Sequence, residues 1–241
     1  MASILDRYGI KEVADVTFYK IKDDGSAGEP VLYLDSLKVS TIEQTAETVY
    51  AQGGKGNPRL IGWDFGKEIT LSLEDALFSP KSMAVMFGNG EVDTDEDNKI
   101  KIKKTIAYTG DKPLKWTDAN GKERTIPTDA VDTAFGDRHF LTFDIEVKEK
   151  EVIHVGPNTF PGTYYITGDT YARSEVTGTD DYFQFIIPKG KITSENTITM
   201  EAEGDPSVFN LNVDVLRATL NGEQVMMKLV KYDLADEAVS E

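Results

Sequence analysis

The chain has 241 residues, no cysteine and a formal net charge of −16, from 42 acidic and 26 basic side chains. Disulfides and thiolate metal sites are therefore excluded, and the acidic balance argues against binding nucleic acid phosphates. We find no basic and apolar export signal in residues 1–5, and no apolar run near the roughly 20 residues that span a bilayer, so we expect neither export by such a signal nor membrane insertion.

The first third of the chain reads as strands separated by turns. A polar, glycine-containing loop, Lys22–Pro30, lies between the predicted strands Val13–Ile21 and Val31–Ser40 and is typical of a hairpin. A short strand is predicted at Thr48–Gln52. After it comes a turn-rich segment that we expect to be a flexible contact loop.

Strict period-two alternation of apolar and polar residues is the dominant pattern of the chain. It predicts half-buried strands with one face on a core and one in water. The alternating segments are residues 69–74, 99–103, 141–148, 197–202 and 209–215. Less regular strands are predicted at Tyr182–Ile187 and Val225–Tyr232. The chain is therefore predicted to be mainly β.

One short helix is predicted at about Pro80 to Phe87. Ser79 suits the N-cap, Pro80 the first helical position and Gly88 the position after the last turn. Met83, Met86 and Phe87 would form its apolar stripe.

The segment after the helix is less regular. Asp93–Asn98 begins like a calcium-binding loop, but its sixth and twelfth positions are Asn98 and Lys104 instead of glycine and glutamate, which favours a solvated acidic turn. Residues 109–137 are polar and ambiguous. We predict that residues 89–137 form an inserted hairpin or subdomain within a β domain made of residues 1–88 and 138–241.

No constellation in the sequence indicates catalysis. Gly53–Gly56 lacks the spacing of a phosphate-binding loop, and His139 and His154 do not form a zinc-binding pair. The carboxylates are too numerous for a glycosidase dyad to be recognised among them. We therefore predict a protein that is not an enzyme, with no cofactor and no metal.

Two segments carry a resemblance to a known family. The run Gly62–Pro80, continued by Ser82–Gly88, and the later Asn196–Pro206 with the strand Ser207–Leu216 resemble the tail tube proteins of tailed bacteriophages. The resemblance covers about a third of the chain. It implies a β-sandwich or rolled barrel with one short flanking helix and long loops, and a virion protein that is assembled in the cytoplasm of the bacterial host.

The resemblance also implies a mode of assembly. Copies form rings, six to a ring, the rings stack into a tube, and DNA passes through without specific binding. Other tail proteins are the implied partners: baseplate, terminator, tape measure and, in a contractile tail, sheath. A long loop between early strands reaches the adjacent ring, and Glu43–Leu60 lies in the corresponding place.

Two groups of residues are the candidate sites. The candidates for the channel wall are the water-facing residues of the alternating strands 141–148 and 209–215. The candidates for contact between subunits lie in the turn-rich segment that begins at residue 52, together with one tryptophan. The channel candidates are Thr142, Asp144, Glu146, Asn210, Asn212 and Asp214; the contact candidates are Gln52, Gly53, Gly54, Lys55, Gly56, Asn57, Pro58, Arg59 and Trp63.

Two alternatives remain open at this point. The chain is also compatible with another virion component, such as a tail completion, baseplate or decoration protein. A carbohydrate-binding β-sandwich is the other alternative, since Trp63, Trp116 and the tyrosines supply aromatic side chains on which a sugar could stack.

Overall fold

The computed structural model describes residues 7–10, 12–88, 90–93, 99–148, 151–193, 208–220 and 222–232. The chain divides into two compact units. Unit 1 consists of Met1–Val92 and Ile153–Glu241, and unit 2 of Asp93–Val152. In the part of the chain that the structure describes, no helix has the length and apolar character needed to cross a membrane.

The described residues form sixteen strands and one α-helix, which confirms the predicted mainly β class with one short helix. In chain order the elements are β1 Tyr8–Ile10, β2 Asp15–Ile21, β3 Ala27–Leu34, β4 Leu37–Gln52, β5 Arg59–Asp75, α1 Pro80–Phe87, β6 Lys99–Tyr108, β7 Lys115–Thr117, β8 Glu123–Thr125, β9 Val131–Phe135, β10 Arg138–Lys148, β11 Thr163–Ser174, β12 Asp180–Ile192, β13 Phe209–Val215, β14 Ala218–Leu220, β15 Glu223–Val225 and β16 Lys228–Tyr232.

Unit 1 is built on one antiparallel sheet with the strand order β3-β2-β11-β12-β13-β5-β4. The short strand β1 pairs with β11, and β16 pairs with β12. Among the described strands the order stays open, with β3 at one end and β4 at the other, so these strands do not close a barrel.

A single core of unit 1 joins both halves of this sheet. It combines Phe18 of β2 with Leu71 of β5, Ile187 of β12 and Val213 of β13, each fully buried. Along β13 buried and exposed residues alternate without interruption, as the period-two pattern predicts. The arrangement is compatible with the expected sandwich.

The helix α1 has the predicted bounds because its end signals act as expected. The Ser82 amide donates to Ser79 Oγ at 3.0 Å, and the Ser79 amide donates to Ser82 Oγ at 2.9 Å. At the other end Gly88 adopts a φ of 96°, and a Cβ there would lie 2.4 Å from the carbonyl carbon of Phe160.

The predicted apolar stripe of α1 is only partly right. The helix buries Ser82, Ala84, Val85 and Met86, whereas the predicted Met83 and Phe87 are half-buried. Val85 and Met86 pack into the core of unit 1, and the helical periodicity alone does not reveal which side of the helix faces that core.

Unit 2 contains a three-stranded sheet in the order β6-β10-β9 and the hairpin β7–β8. Ile126, Leu141 and Phe143 form its buried core, with Trp116 packed against Phe143 at 6.3 Å between ring centroids. The ambiguous stretch 109–137 therefore contains three strands. Asp93 and Val152 exchange two backbone hydrogen bonds of 3.0 Å, which brings together the two ends of the unit.

Several sequence predictions differ from what the structure contains. The strand β10, which we assigned to the principal β domain, pairs with β6 and β9 in unit 2. Most of Glu43–Leu60, expected to be a long loop, is strand, since β4 extends to Gln52 and β5 begins at Arg59. The motif Asn196–Pro206, the predicted strand 197–202 and most of the acidic turn after Asp93 lie outside the described residues.

Candidate assembly interface

The hairpin β4–β5 ends in a compact turn, Gly53–Pro58. The Gly53 amide donates to the Pro58 carbonyl at 3.3 Å, and Asn57 Nδ2 donates to Gln52 Oε1 at 3.2 Å. Gly54 and Gly56 have φ values of 85° and 87°, a region that glycine enters without steric cost. The predicted contact segment is therefore a hydrogen-bonded hairpin tip with Lys55 exposed at its end.

The outer part of this hairpin is a two-stranded ribbon. β13 pairs with β5 only from Thr70 to Asp75, and among the described residues no third strand pairs with Arg59–Glu68. On β4, residues 41–50 are exposed throughout. We call Glu47–Phe65, whose strands pair only with each other among the described residues, the ribbon.

One face of the ribbon is apolar and uncovered. Val49 pairs with Trp63, Ala51 with Ile61 and Glu47 with Phe65, and paired residues share a face. Val49, Ile61, Trp63 and Phe65 are 53%, 56%, 54% and 49% exposed. A contiguous apolar surface of this kind on a protein marks an interaction site. We call these four residues the apolar ribbon face.

On the opposite face of the ribbon, side chains of the two strands contact one another. Thr48 Oγ1 donates to Asp64 Oδ1 at 2.7 Å, and the Arg59 guanidinium lies 4.2 Å from the centre of the Tyr50 ring. The Tyr50 ring also covers Gly62, where a Cβ would lie 3.1 Å from it. The polar and cationic side chains of this face therefore have partners within the ribbon, unlike the side chains of the apolar ribbon face.

A bulge separates the ribbon from the core-packed part of the hairpin. Thr45 pairs with Glu68 and Glu47 with Phe65, so β5 has one residue more than β4 between these pairs. Gly66 lies in the bulge with a φ of 61°, the left-handed conformation of a glycine bulge. Beyond it, Ile69, Leu71 and Leu73 are buried in the core of unit 1.

The candidate channel row on β13 lies within a wider polar surface of unit 1. Asn210, Asn212 and Asp214 are exposed and pair with Glu74, Ser72 and Thr70. Exposed Lys191 of β12 lies beside Asp214. Unit 1 contains 28 of the 42 acidic and 15 of the 26 basic residues, so it carries −13 of the net charge of −16.

The candidate channel row on β10 lies in unit 2 and faces lysines. Glu146 binds Lys99 at 2.8 Å, Asp144 binds Lys103 at 3.1 Å, and the hydroxyls of Thr142 and Thr105 are 3.1 Å apart. The hydrogen bond from Lys99, and next its charge, hold the pKa of Glu146 below its usual range. The row is therefore largely neutralised by its own sheet.

A cluster of titratable groups in unit 2 links its three strands. Tyr108 donates a hydrogen bond to Asp132, whose other oxygen lies 3.3 Å from His139 Nδ1. The bond to Asp132 raises the pKa of Tyr108 to about 12, and the same bond lowers the pKa of Asp132. Within the described ranges, no group of three or more His, Asp or Glu side chains could hold a metal ion.

The structure brings Trp63 and the predicted tip segment onto one hairpin, but it places the two channel rows in different units. Val49, Ile61 and Phe65, which complete the apolar ribbon face, were not among the contact residues predicted from the sequence. A signal for two of them was present: Ile61, Trp63 and Phe65 alternate with Gly62, Asp64 and Gly66. Glycines at alternate positions made this segment look like a loop.

Comparison with known proteins finds one family. A family model described as the YomU/Tube protein family matches residues 8–110 and residues 96–228, two ranges that overlap. Together they extend from residue 8 to residue 228 and include every interface residue described above. No curated protein matches the chain.

Proposed function

The chain belongs to the YomU/Tube protein family, and we propose that it is the subunit of a bacteriophage tail tube that self-assembles into stacked hexameric rings around a channel for DNA. The family is one of structural phage tube proteins, which points to a non-enzymatic role. The tail of the virion is the site of action in this proposal, and assembly takes place in the host cytoplasm.

The apolar ribbon face is the observation that carries the proposal. Two-stranded ribbons are marginally stable in water, and this one leaves four large apolar side chains about half exposed. Covering them with a neighbouring subunit would remove that area from water and fix the ribbon. The ribbon, with its tip from Gln52 to Arg59 and Trp63, is therefore our proposed contact between rings.

The open edges of the unit 1 sheet support closure into a ring. β3 and β4 end the strand order, and an unpaired edge is a template for pairing with another chain. A contact between two different edges is heterologous, and such contacts close into rings when the rotation allows it. Pairing of the β3 edge of one copy with the β4 edge of the next would satisfy both edges.

The polar surface on β13 is our proposed channel wall. Asn210, Asn212 and Asp214 face away from the core in the unit that carries most of the negative charge. A wall without a run of cations gives DNA phosphates no binding sites, so DNA can slide along it. We prefer this row to the one on β10, whose carboxylates bind lysines.

Unit 2 is, in this proposal, an insertion into the tube domain. The close approach of Asp93 and Val152 supports it, because a domain inserted in a loop has neighbouring ends. The insertion then comprises Asp93–Val152 and ends further toward the C-terminus than the predicted 89–137. The partners we propose besides other copies are the remaining tail proteins: baseplate, terminator, tape measure and, in a contractile tail, sheath.

Electron microscopy of the purified chain tests the proposal. We expect rings or tubes, and we expect a variant lacking Gly53–Asn57 to give folded chains that do not stack. Circular dichroism checks that the variant keeps its strands, and Lys55→Ser serves as a control that keeps the length of the tip. Monomers from the wild-type chain at all concentrations, also in the presence of a tail initiator complex, would contradict the proposed function.

A further inference from the structure

A second apolar surface lies around α1 in unit 1. Leu77 and Phe78 precede the helix and are 67% and 58% exposed, and Phe160, beside the C-terminal Gly88, is 65% exposed. One side of the Phe78 ring packs on Phe209 at 4.5 Å between ring centroids. We call Leu77, Phe78 and Phe160 the helix patch.

The helix itself continues this patch. α1 buries Val85 and Met86 in the core, yet Met83 and Phe87 on another side of the helix are half-buried. Residues four apart in a helix lie on the same face, so Met83 and Phe87 form a short apolar row between the two ends of the patch. An apolar row on a second side of a helix lowers the free energy when another surface covers it, because covering removes apolar area from water.

We propose that the apolar ribbon face of one copy docks on the helix patch of a second copy. The proposal rests on the assembly proposed above and names its receptor surface. Both surfaces are exposed in the same chain, so they do not cover each other within one copy. A patch that meets a different patch on the next copy makes a heterologous contact, the kind that repeats along an assembly.

The dimensions of the two surfaces match. Ile61, Trp63 and Phe65 occupy alternate positions of a strand and extend over about 13 Å at the strand rise of about 3.3 Å per residue. The eight residues of α1 extend over about 12 Å at the helical rise of 1.5 Å per residue. A row of three strand side chains can therefore lie along the whole helix.

The area is sufficient for a specific contact. An aromatic side chain buries roughly 150–250 Å² when fully covered and an aliphatic one buries less, so the seven exposed residues of both surfaces, three of them aliphatic, offer on the order of 650 Å². Since about 60% of an interface is apolar, the whole contact would bury about 1,100 Å². This exceeds the roughly 1,000 Å² that a specific interface needs.

Cross-linking with introduced cysteines tests the inference, because the chain has no cysteine of its own. The double variant Val49→Cys/Leu77→Cys places one thiol on the apolar ribbon face and one in the helix patch. Treated with a short bis-maleimide linker under assembly conditions, it should give a ladder of covalent dimers, trimers and longer chains. Each single variant should stop at dimers.

A matched variant separates this inference from the proposed function. Val49→Cys/Val176→Cys pairs the ribbon thiol with a residue in the turn between β11 and β12 that is similarly exposed, at 70%. If tubes form and only this control gives the ladder, or if neither variant does, the ribbon docks elsewhere and the inference is overturned while the proposed function stands. If the wild-type chain forms no rings or tubes, the proposed function itself fails.

Discussion

The ribbon of unit 1 and the three-stranded sheet of unit 2 both expose strand faces to water, but they differ in how far the exposed side chains have partners within the same unit. In unit 2, Lys99 and Lys103 bind the carboxylates of the neighbouring strand, and the other face covers Leu141 and Phe143. In the ribbon, Thr48 and Asp64 form a hydrogen bond on the face that also carries Tyr50. The other face exposes Trp63 and its apolar neighbours.

The difference separates a surface that is complete in water from one that a partner completes. Ion pairs and hydroxyls on an exposed face cost little to leave solvated. Covering four half-exposed apolar side chains on one face removes apolar area from water and so lowers the free energy of the complex. Mutations in the two regions should therefore affect different properties of the protein.

The largest expected effect is on assembly. Trp63→Asp places a charge on the apolar ribbon face and should raise the concentration needed for assembly by roughly 100-fold or more, as for the loss of a central aromatic contact. The monomer should keep its stability to within about 0.5 kcal/mol, because Trp63 is half exposed. Sedimentation against concentration measures the first effect and urea unfolding the second.

The control for this prediction lies in unit 2. Thr142→Asp adds the same charge to a face that is already polar and should leave assembly nearly unchanged. The prediction is wrong if Trp63→Asp assembles normally, or if both variants raise the concentration needed for assembly equally.

Stability of unit 2 should respond to its own core. Leu141 is fully buried, so Leu141→Ala should lower the free energy of unfolding of unit 2 by about 2–5 kcal/mol. Trp116 fluorescence in a Trp63→Phe background follows this unit during urea unfolding, since the ring packs on Phe143. Ile102→Ala, at a site 48% exposed, should cost less than half as much. An unchanged midpoint for Leu141→Ala would contradict the described core.

The bulge at Gly66 should give a smaller, local effect. A Cβ there meets nothing within 4 Å, so Gly66→Ala costs only the left-handed backbone conformation, about 1–2 kcal/mol. We expect faster amide hydrogen exchange along the ribbon and little change in the core of unit 1. Gly53→Ala is the matched control, because its Cβ would lie at an ordinary 3.6 Å from Leu60. Equal exchange in both variants would argue against a strained bulge.

The smallest expected effect concerns the Glu146–Lys99 pair. A carboxyl whose pKa is lowered in the folded state stabilises that state above its unfolded pKa, and this contribution is lost as the pH falls through the folded pKa. The pKa of Lys99 is raised by the same pair, so its contribution is lost only as the pH rises through the folded pKa of the amine. The pair therefore contributes most between roughly pH 4.5 and pH 10.

An NMR titration of the Glu146 carboxyl checks this prediction. Lys99→Ala should raise the pKa of Glu146, whereas Lys104→Ala, which removes a cation from the opposite face beside Trp116, should not. A pKa that stays the same in Lys99→Ala would show that the pair has no influence in solution.

Much of the fold was predictable because its signals are local. Ser79, Pro80 and Gly88 set the bounds of α1 through hydrogen bonds and backbone angles of neighbouring residues. In β13 apolar and polar residues alternate, and such a segment forms a strand wherever one of its faces can be buried. A hairpin or subdomain was predicted within residues 89–137, but the turn at Asn120-Gly121 that joins β7 and β8 was not recognised, although this dipeptide is a common hairpin turn.

The ribbon was less predictable because pairing partners decide it. Gly62 and Gly66 weaken a strand by themselves, but Tyr50 covers one and the bulge accommodates the other. The charge of a candidate channel row likewise depends on the strand beside it. β10 pairs with a lysine-rich strand, whereas β13 pairs with a strand that presents Thr70, Ser72 and Glu74.

The sequence by itself determined the β class, the helix, the acidic balance and the residues that alternate between core and water, because each depends on near neighbours or on composition. Only the tertiary structure decided which alternating face lacks a cover, since that depends on strands and helices brought together from distant parts of the chain. Trp63 is a core anchor or an interface residue according to what lies opposite it. The described fold places Val49 and Phe65 beside it and leaves all three exposed.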